Sequence, residues 1–218
     1  MESGENPGRE RVLGRIRSAL KAPAAHHDSV AGDRPIFRVV TDPLERFQSE
    51  CANNATECIL VADADSAREA LRSVLASVPS GEVYVEDASL PHRLLKELDG
   101  GHSVRWSSEG PPSESSQATV TTAECLVASH GSVLMTSSNG GRGASVVAPV
   151  HIVVASESQM APDLSAALAR VKQSGVAERN SSLFLITGSS RTADIEKILV
   201  LGAHGPRRLV VILIRNPK

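Results

Sequence analysis

LFLITGSSRTADIEKILVLGAHGPRRLVVILI, residues 183–214, is the stretch on which the fold turns. Its first four residues are apolar and read as a buried strand. A small polar turn follows: Thr187, Gly188, Ser189, Ser190, Arg191 and Thr192. Ile195, Ile198, Leu199 and then Leu201 or Gly202 fall at helical spacing. Residues 209–214 form a second apolar run, bounded by Pro206 and Pro217. Strand, glycine turn, helix and strand in this order predict a βαβ unit.

Two readings of the turn stand side by side. The first N–H groups of a helix lack intrahelical partners and carry the positive end of its dipole. Gly188 lets a ligand approach the backbone, the hydroxyls of Ser189, Ser190 and Thr192 add donors, and Arg191 adds charge. That combination suits a phosphate or carboxylate. In the other reading Thr192 is an N-cap, with Asp194 and Glu196 complementing the first turn. Neither G-x-x-x-x-G-K nor G-x-G-x-x-G is present.

Upstream, residues 56–100 alternate strand, helix, strand and helix: an apolar run at 58–61, helical spacing over 66–78, a strand at 82–85 and a helix over 90–98 ended by Gly100 and Gly101. A helix is also expected from Asp42 with Leu44 and Phe47 inward, and another over 160–173 with Leu164, Leu168 and Val171 inward. The alternation predicts an α/β fold: a three-layer sandwich with a largely parallel central sheet. Residues 9–20, RERVLGRIRSAL, make a short amphipathic helix, and 22–35 read as a linker. The domain boundaries expected are therefore 1–35 for an N-terminal helical extension and 36–218 for a single α/β domain. Within the linker, His26 and His27 read as solvated side chains, not metal ligands, and no metal site is expected anywhere in the chain.

Residues 118–155 read as short strands separated by turns. Two apolar runs, 125–128 and 132–135, flank Ser129, His130 and Gly131, which suggests a hairpin or sharp bend. His130 there is a candidate general base, or a local turn hydrogen-bonder. Asn139, Gly140, Gly141, Arg142 and Gly143 form a glycine-rich loop around one positive charge, which reads equally as an anion-binding loop or a merely mobile one. Asn139, Gly141 and Arg142 are candidates to face the Gly188–Thr192 cradle across a bound anion. Glu124 could in principle supply a carboxylate nucleophile, but before an apolar strand it reads as a surface acid; His151 reads as a strand residue that satisfies a backbone group. His204 beside Gly205 suits the end of a helix.

The chain of 218 residues has a net charge of −2 and only five aromatic side chains, Trp106, Tyr84 and three Phe. Such a balance gives no basic face for nucleic acid, and RNA stacking lacks its aromatics. No apolar run is long enough to span a membrane and no signal-peptide pattern opens the chain, so a cytoplasmic protein is expected. Cys51, Cys58 and Cys125 are scattered and make no C-x-x-C pair, so no self-contained iron–sulfur site is expected. H-E-x-x-H and G-x-S-x-G are also missing.

The run TGSSRTADIEKILVLGAHGP, residues 187–206, resembles the C-terminal signature of the LUD family of lactate-utilisation proteins. TVTTAECLVASHGSVLM at 119–135, followed by GGRGASVVAPVHIVV at 140–154, resembles that family's central segment. The likeness extends over essentially the whole chain. It implies a fold similar to the sugar-phosphate isomerase, CoA-transferase and formyltetrahydrofolate cyclo-ligase group. It implies a subunit of a system that oxidises lactate to pyruvate with iron–sulfur partner proteins, binding an anionic ligand or assisting assembly. No cofactor is expected in this chain; the clusters belong to the partners. The fold alone leaves two alternatives: an autonomous enzyme of isomerase, CoA-transferase or cyclo-ligase type, or an organic-acid sensor. The chain departs from the family at Ser129, His130, Gly131 and Ser132, where an acid and Thr-Gly-Thr are usual, and at Gly188, Ser189 and Ser190, where Gly-Pro-Ser is usual.

Overall fold

The computed structural model describes residues 7–21, 39–95, 101–193, 199–201 and 205–215. The chain divides into two units, Met1–Ile36 and Phe37–Lys218. The first holds α1 (Pro7–Lys21), with Glu10 in its first turn and Lys21 in its last, the charge order that complements a helix dipole.

In the second unit the order is α2 (Pro43–Asn53), β1 (Thr56–Val61), α3 (Ala64–Ala76), β2 (Glu82–Val85), α4 (Ser89–Leu94), β3 (Ser103–Trp106) and β4 (Ala118–Thr121). There follow β5 (Cys125–Val127), β6 (Ser132–Thr136), β7 (Val150–Ser156), β8 (Met160–Ala161), α5 (Leu164–Gln173), α6 (Val176–Arg179) and β9 (Leu183–Ile186). The chain closes with β10 (Arg191–Ala193), β11 (Leu199–Leu201) and β12 (Arg208–Ile214). Three of the helices begin on an aspartate. Asp42, Asp63 and Asp163 each accept a backbone N–H three residues on, and Pro43 occupies the first turn of α2.

Six strands form one parallel sheet in the order β1-β12-β7-β4-β2-β3. Side chains alternate between its faces. Val83, Val85, Val120, Ile152, Val154, Val210 and Ile212 face α3 and α4, whose Leu71, Leu75 and Leu94 complete one core. Val153, Ala155, Leu209, Val211 and Leu213 face the other way and meet Phe47 and Cys51 of α2. They also meet Leu126, Val133 and Met135 of a second sheet, ordered β8-β5-β6-β9. Ala167 and Val171 of α5 pack on the far side of that sheet. The fold is thus the expected α/β sandwich around a parallel sheet, with a four-stranded sheet sharing one of its covering layers. The hairpin expected around residues 129–131 is present as the antiparallel pair β5–β6.

Chain direction reverses once inside the large sheet. From β2 the chain passes through α4 outward to β3. From β4 it passes through the β5–β6 hairpin, on the other face, toward β7. The reversal therefore falls between neighbours β2 and β4.

The 183–214 stretch differs from the βαβ expectation. Residues 209–214 are all buried and lie inside the parallel sheet, paired on both sides between β1 and β7. Leu183–Ile186 alternate between exposed and half-buried, and β9 is instead the antiparallel edge of the second sheet, paired with β6. A fully buried Val, Leu or Ile contributes about 1.5–3 kcal/mol, so a strand with six such positions takes an interior place and one with alternating exposure takes an edge. Arg191–Ala193 and Leu199–Leu201 pair as antiparallel strands, so Thr192 lies in β10 and is not a helix cap. Ile195 and Ile198, on which the helix expectation rested, lie outside the described residues, as do Asp194, Glu196, His26, His27 and His204. Leu168 also turns outward at 45% exposure, because Ala167 and Val171 supply the inward face of α5.

Candidate functional site

In open parallel sheets, ligands bind beyond the carboxyl ends of the strands at the point where chain direction reverses. Here that point lies between the ends of β2 and β4. The first residue after β2 is Glu86, and the first after β4 is Thr122. Glu86 is 6% exposed. Its Oε2 accepts from Thr122 N at 2.5 Å and from Thr122 Oγ1 at 2.8 Å. Its Oε1 accepts from Asn139 Nδ2 at 3.2 Å. Asn139 Nδ2 also reaches Thr122 Oγ1 at 3.1 Å, while its Oδ1 accepts from Thr136 N at 2.8 Å and from Thr136 Oγ1 at 3.1 Å. Thr136 Oγ1 lies 3.4 Å from Glu124 Oε1.

This network ties the loop after β6 to the carboxyl ends of β2 and β4. Burial raises the Glu86 carboxyl above its ordinary range, three donors act against that, and the charge of Glu124 adds to the rise. A carboxyl moved toward neutral pH is the type of group used as a general base, and in CoA-transfer chemistry as a nucleophile. Glu124 is half-buried inside this network, so the expectation of a plain surface acid is corrected.

A cleft of about 400 Å³ opens beside the network. One wall is the segment after β3, with Ser107, Gly110, Pro111 and Pro112; the other is the loop of residues 137–143. Asn139 is itself buried and immediately precedes Gly140 in that wall. Tyr84 lines the cleft and donates its hydroxyl to Gly140 O at 2.8 Å, with Gly110 O at 3.2 Å. Gly141 and Arg142 are exposed at its lip. Just outside, His92 Nε2 meets Asp87 Oδ1 at 2.7 Å, and its ring stacks on Trp106 with centroids 3.8 Å apart. The Ser108 hydroxyl and His92 hold the Asp87 carboxyl below its usual range.

The Gly188 turn lies elsewhere. Gly188, Ser189 and Ser190 line a larger cleft, about 780 Å³, together with Asn54, Ser145, Val146, Gly205 and Pro206. Asn54 precedes β1, Ser145 and Val146 precede β7, and Pro206 precedes β12, so this cleft sits at the amino ends of the parallel strands. Ser190 N donates to Pro206 O at 2.8 Å. Gly188 has φ +77°, and a Cβ there would stand 2.4 Å from Asn54 O. Its glycine is required by the close approach to the end of α2, whatever the cleft holds. Gly188, Ser189 and Ser190 of the expected cradle and its opposite half, Gly141 and Arg142 with Asn139 buried behind them, thus belong to two clefts and not one. The loop between them contributes to both: residues 140–143 to the first, Ser145 and Val146 to the second. Arg191 and Thr192 are placed in β10.

His130 lines neither cleft. Its Nδ1 is 2.7 Å from Ser129 Oγ, and its carbonyl accepts from Asn54 Nδ2 at 2.9 Å. Gly131, at φ +61°, would place a Cβ 2.6 Å from Cys51 N, so this turn also abuts the end of α2. His151 is fully buried, and its Nε2 meets Thr121 Oγ1 at 2.8 Å, so it serves a side chain and not the backbone group expected. Desolvation lowers its pKa to about 4.

Sequence reasoning missed Glu86, Thr122 and Tyr84. No glycine motif marks them; the usable signal was a lone acid at the end of a short apolar strand. Among the described residues no three His, Cys, Asp or Glu side chains gather as a metal centre needs, and no helix is long and apolar enough to cross a membrane.

In parallel α/β sheets the switch-point crevice is the usual place for a small-molecule site. Comparison narrows the class: residues 112–214 match the model of the LUD domain, so the likeness read in the sequence stands. The chain is 28% identical to lactate utilization protein C of Bacillus subtilis (strain 168), over 78% of this chain and 77% of that one. It is 27% identical to the protein of that name from Bacillus velezensis, over 80% and 79%. Among solved structures, a DUF162 family protein from Deinococcus radiodurans superposes with a TM-score of 0.62 at 23% identity, covering 79% of this chain and 96% of that one. That likeness is one of fold.

Proposed function

We propose that this chain serves lactate utilisation as a subunit without a redox centre of its own, holding a small hydroxy or keto acid in the crevice beside Glu86. The likeness to lactate utilization protein C, spanning more than three quarters of both chains, carries this reading. Oxidation of lactate to pyruvate releases two electrons and two protons. Glu86 accepts the hydroxyl proton, Arg142 at the lip attracts the carboxylate, and the Cα hydrogen leaves with its electron pair as a hydride to a hydride-accepting redox group of the partner subunits, whose iron–sulfur clusters carry the electrons on. An anaerobic pull-down of the tagged chain from its host tests this. Co-recovery of cluster-bearing proteins, with lactate-dependent reduction of an acceptor dye by the eluate, is expected. A chain recovered alone, from a host whose lactate oxidation survives its deletion, overturns it.

A second reading is favoured by Glu86 itself. A buried carboxyl with a raised pKa at a switch point suits an autonomous acyl- or group-transfer enzyme. Turnover of CoA esters, sugar phosphates or folates by the isolated chain, lost in Glu86→Gln, is the outcome this reading requires.

A further inference from the structure

The N-terminal unit presents a helix whose apolar side is left in solvent. No residue of α1 is buried. Val12, Ile16 and Leu20 are 55%, 49% and 79% exposed, yet they recur at every fourth position and so share one face. Each is bordered by a cation: Arg11 precedes Val12, Arg15 and Arg17 flank Ile16, and Lys21 follows Leu20. Sequence neighbours stand about 100° apart around a helix, so positive charge runs along both sides of the apolar stripe. Arg9 completes five cations against the single acid Glu10, which gives the helix a charge of +4. A chain of net charge −2 therefore carries −6 outside it. Glu10 lies 3.6 Å from Arg9 and 3.8 Å from Arg17, while Arg11, Arg15 and Lys21 have no acid at salt-bridge distance among the described residues.

An isolated helix of about 15 residues is marginal in water, and Gly14 inside α1 weakens it further. The helix therefore gains from a surface that takes its apolar stripe. We infer that α1 is an interfacial anchor for an anionic lipid bilayer. It lies in the plane of the membrane, with Val12, Ile16 and Leu20 turned to the acyl boundary and Arg11, Arg15, Arg17 and Lys21 among the headgroup phosphates. The placement of charge selects this occupant. A groove on a protein with one acidic wall calls for cations on one side of the stripe, whereas a flat anionic surface meets both flanks at once. Neither signal suffices alone. Three aliphatic side chains with no aromatic among them insert shallowly, and charge alone gives adsorption that salt removes. Together they give a reversible attachment. At about 22 Å the helix is too short to cross a bilayer core of about 30 Å, so it lies on the membrane and does not span it. The crevice chemistry proposed above does not depend on this attachment.

The test is co-sedimentation of the full-length chain with sucrose-loaded vesicles. Vesicles of phosphatidylcholine and phosphatidylglycerol in equal parts should carry down at least about tenfold more protein than pure phosphatidylcholine, and raised salt should release most of it. Bound protein should gain helix by circular dichroism, and trypsin should cut more slowly after Arg11, Arg15 and Arg17. Two variants separate the signals. Ile16→Glu breaks the apolar stripe, and the combined Arg11→Gln, Arg15→Gln and Lys21→Gln removes the three cations with no acidic partner. Each should return sedimentation to the level of neutral vesicles. An unchanged urea transition shows that each variant is folded; should one not fold, the other and the lipid comparison in wild type still decide. Equal binding to both vesicle types, binding to neither, or full binding by Ile16→Glu overturns the inference. Self-association lost in Ile16→Glu, with no vesicle binding by wild type, overturns it too and gives this face to a second copy of the chain.

Discussion

The two ends of the parallel sheet are built from different chemistry. At the carboxyl end, Glu86, Thr122, Asn139, Thr136 and Glu124 form one network, donated by three separate segments of chain. At the amino end, the larger cleft is walled by hydroxyls, backbone and glycine, and Gly188 is there because Asn54 O leaves no room for a side chain. Size favours the amino end; a titratable group held away from its ordinary pKa favours the carboxyl end. Glycine at close quarters is thus a statement about packing before it is one about ligands, whereas a buried acid costs stability and calls for a chemical reason.

The largest effects should come from the glycines that abut α2. Gly188→Ala and Gly131→Ala each place a Cβ against backbone, 2.4 Å from Asn54 O and 2.6 Å from Cys51 N, at positive φ. Each should cost roughly 2–4 kcal/mol in urea unfolding, a left-handed penalty plus a clash that backbone cannot easily relieve. A loss near zero at Gly188 would break the packing explanation and return that turn to a ligand role.

Next comes His151, below the crevice. Its pKa falls from 6.5 to about 4 on burial, so between those values the unfolded chain binds the extra proton. Its contribution is full above pH 6.5 and is lost as pH falls toward 4, by about 3 kcal/mol. Glu86 has the opposite sign: with its pKa raised, the folded state holds the proton longer, and its penalty grows as pH rises above the ordinary carboxylate range. Unfolding free energies measured from pH 4 to 7 should therefore rise less steeply in wild type than in Glu86→Gln. His151→Leu should flatten the acid limb, and an unchanged acid limb in that variant would remove His151 from the account.

Replacing Glu86 by Leu leaves Asn139 and Thr122 donors unsatisfied and should cost about 2 kcal/mol, while Glu86→Gln, which keeps the shape, should cost under about 1 kcal/mol. Equal costs would mean that the network is loosely held. The smallest effect belongs to the amino end, where Arg208 forks onto Glu57 at 2.5 and 2.7 Å across β12 and β1. The Arg208 guanidinium holds the Glu57 carboxyl below its usual range. The pair is partly solvated, so Arg208→Ala should lower stability by only about 0.5 kcal/mol, and less in high salt.

The fold was largely legible in the sequence, because its parallel strands are continuous apolar runs separated by helical spacing. One strand was misplaced for a physical reason: residues 183–186 are as apolar as a central strand, yet two of the leucines face out, and pairing with β6 is not written in local composition. The site was less legible. Glycine loops announce themselves, and both were found. The acids did not, since Glu86 and Glu124 are separated by 38 positions and become partners only when β2 and β4 lie side by side.

Growth decides which end of the sheet carries the function. A host lacking this chain, supplied with wild type, Glu86→Gln or Ser190→Ala, is grown with lactate as sole carbon source, with protein levels matched by blot. The account predicts that Glu86→Gln fails to restore growth while Ser190→Ala restores it. Full growth with Glu86→Gln and failure with Ser190→Ala would contradict it, and would move the site to the amino-end cleft.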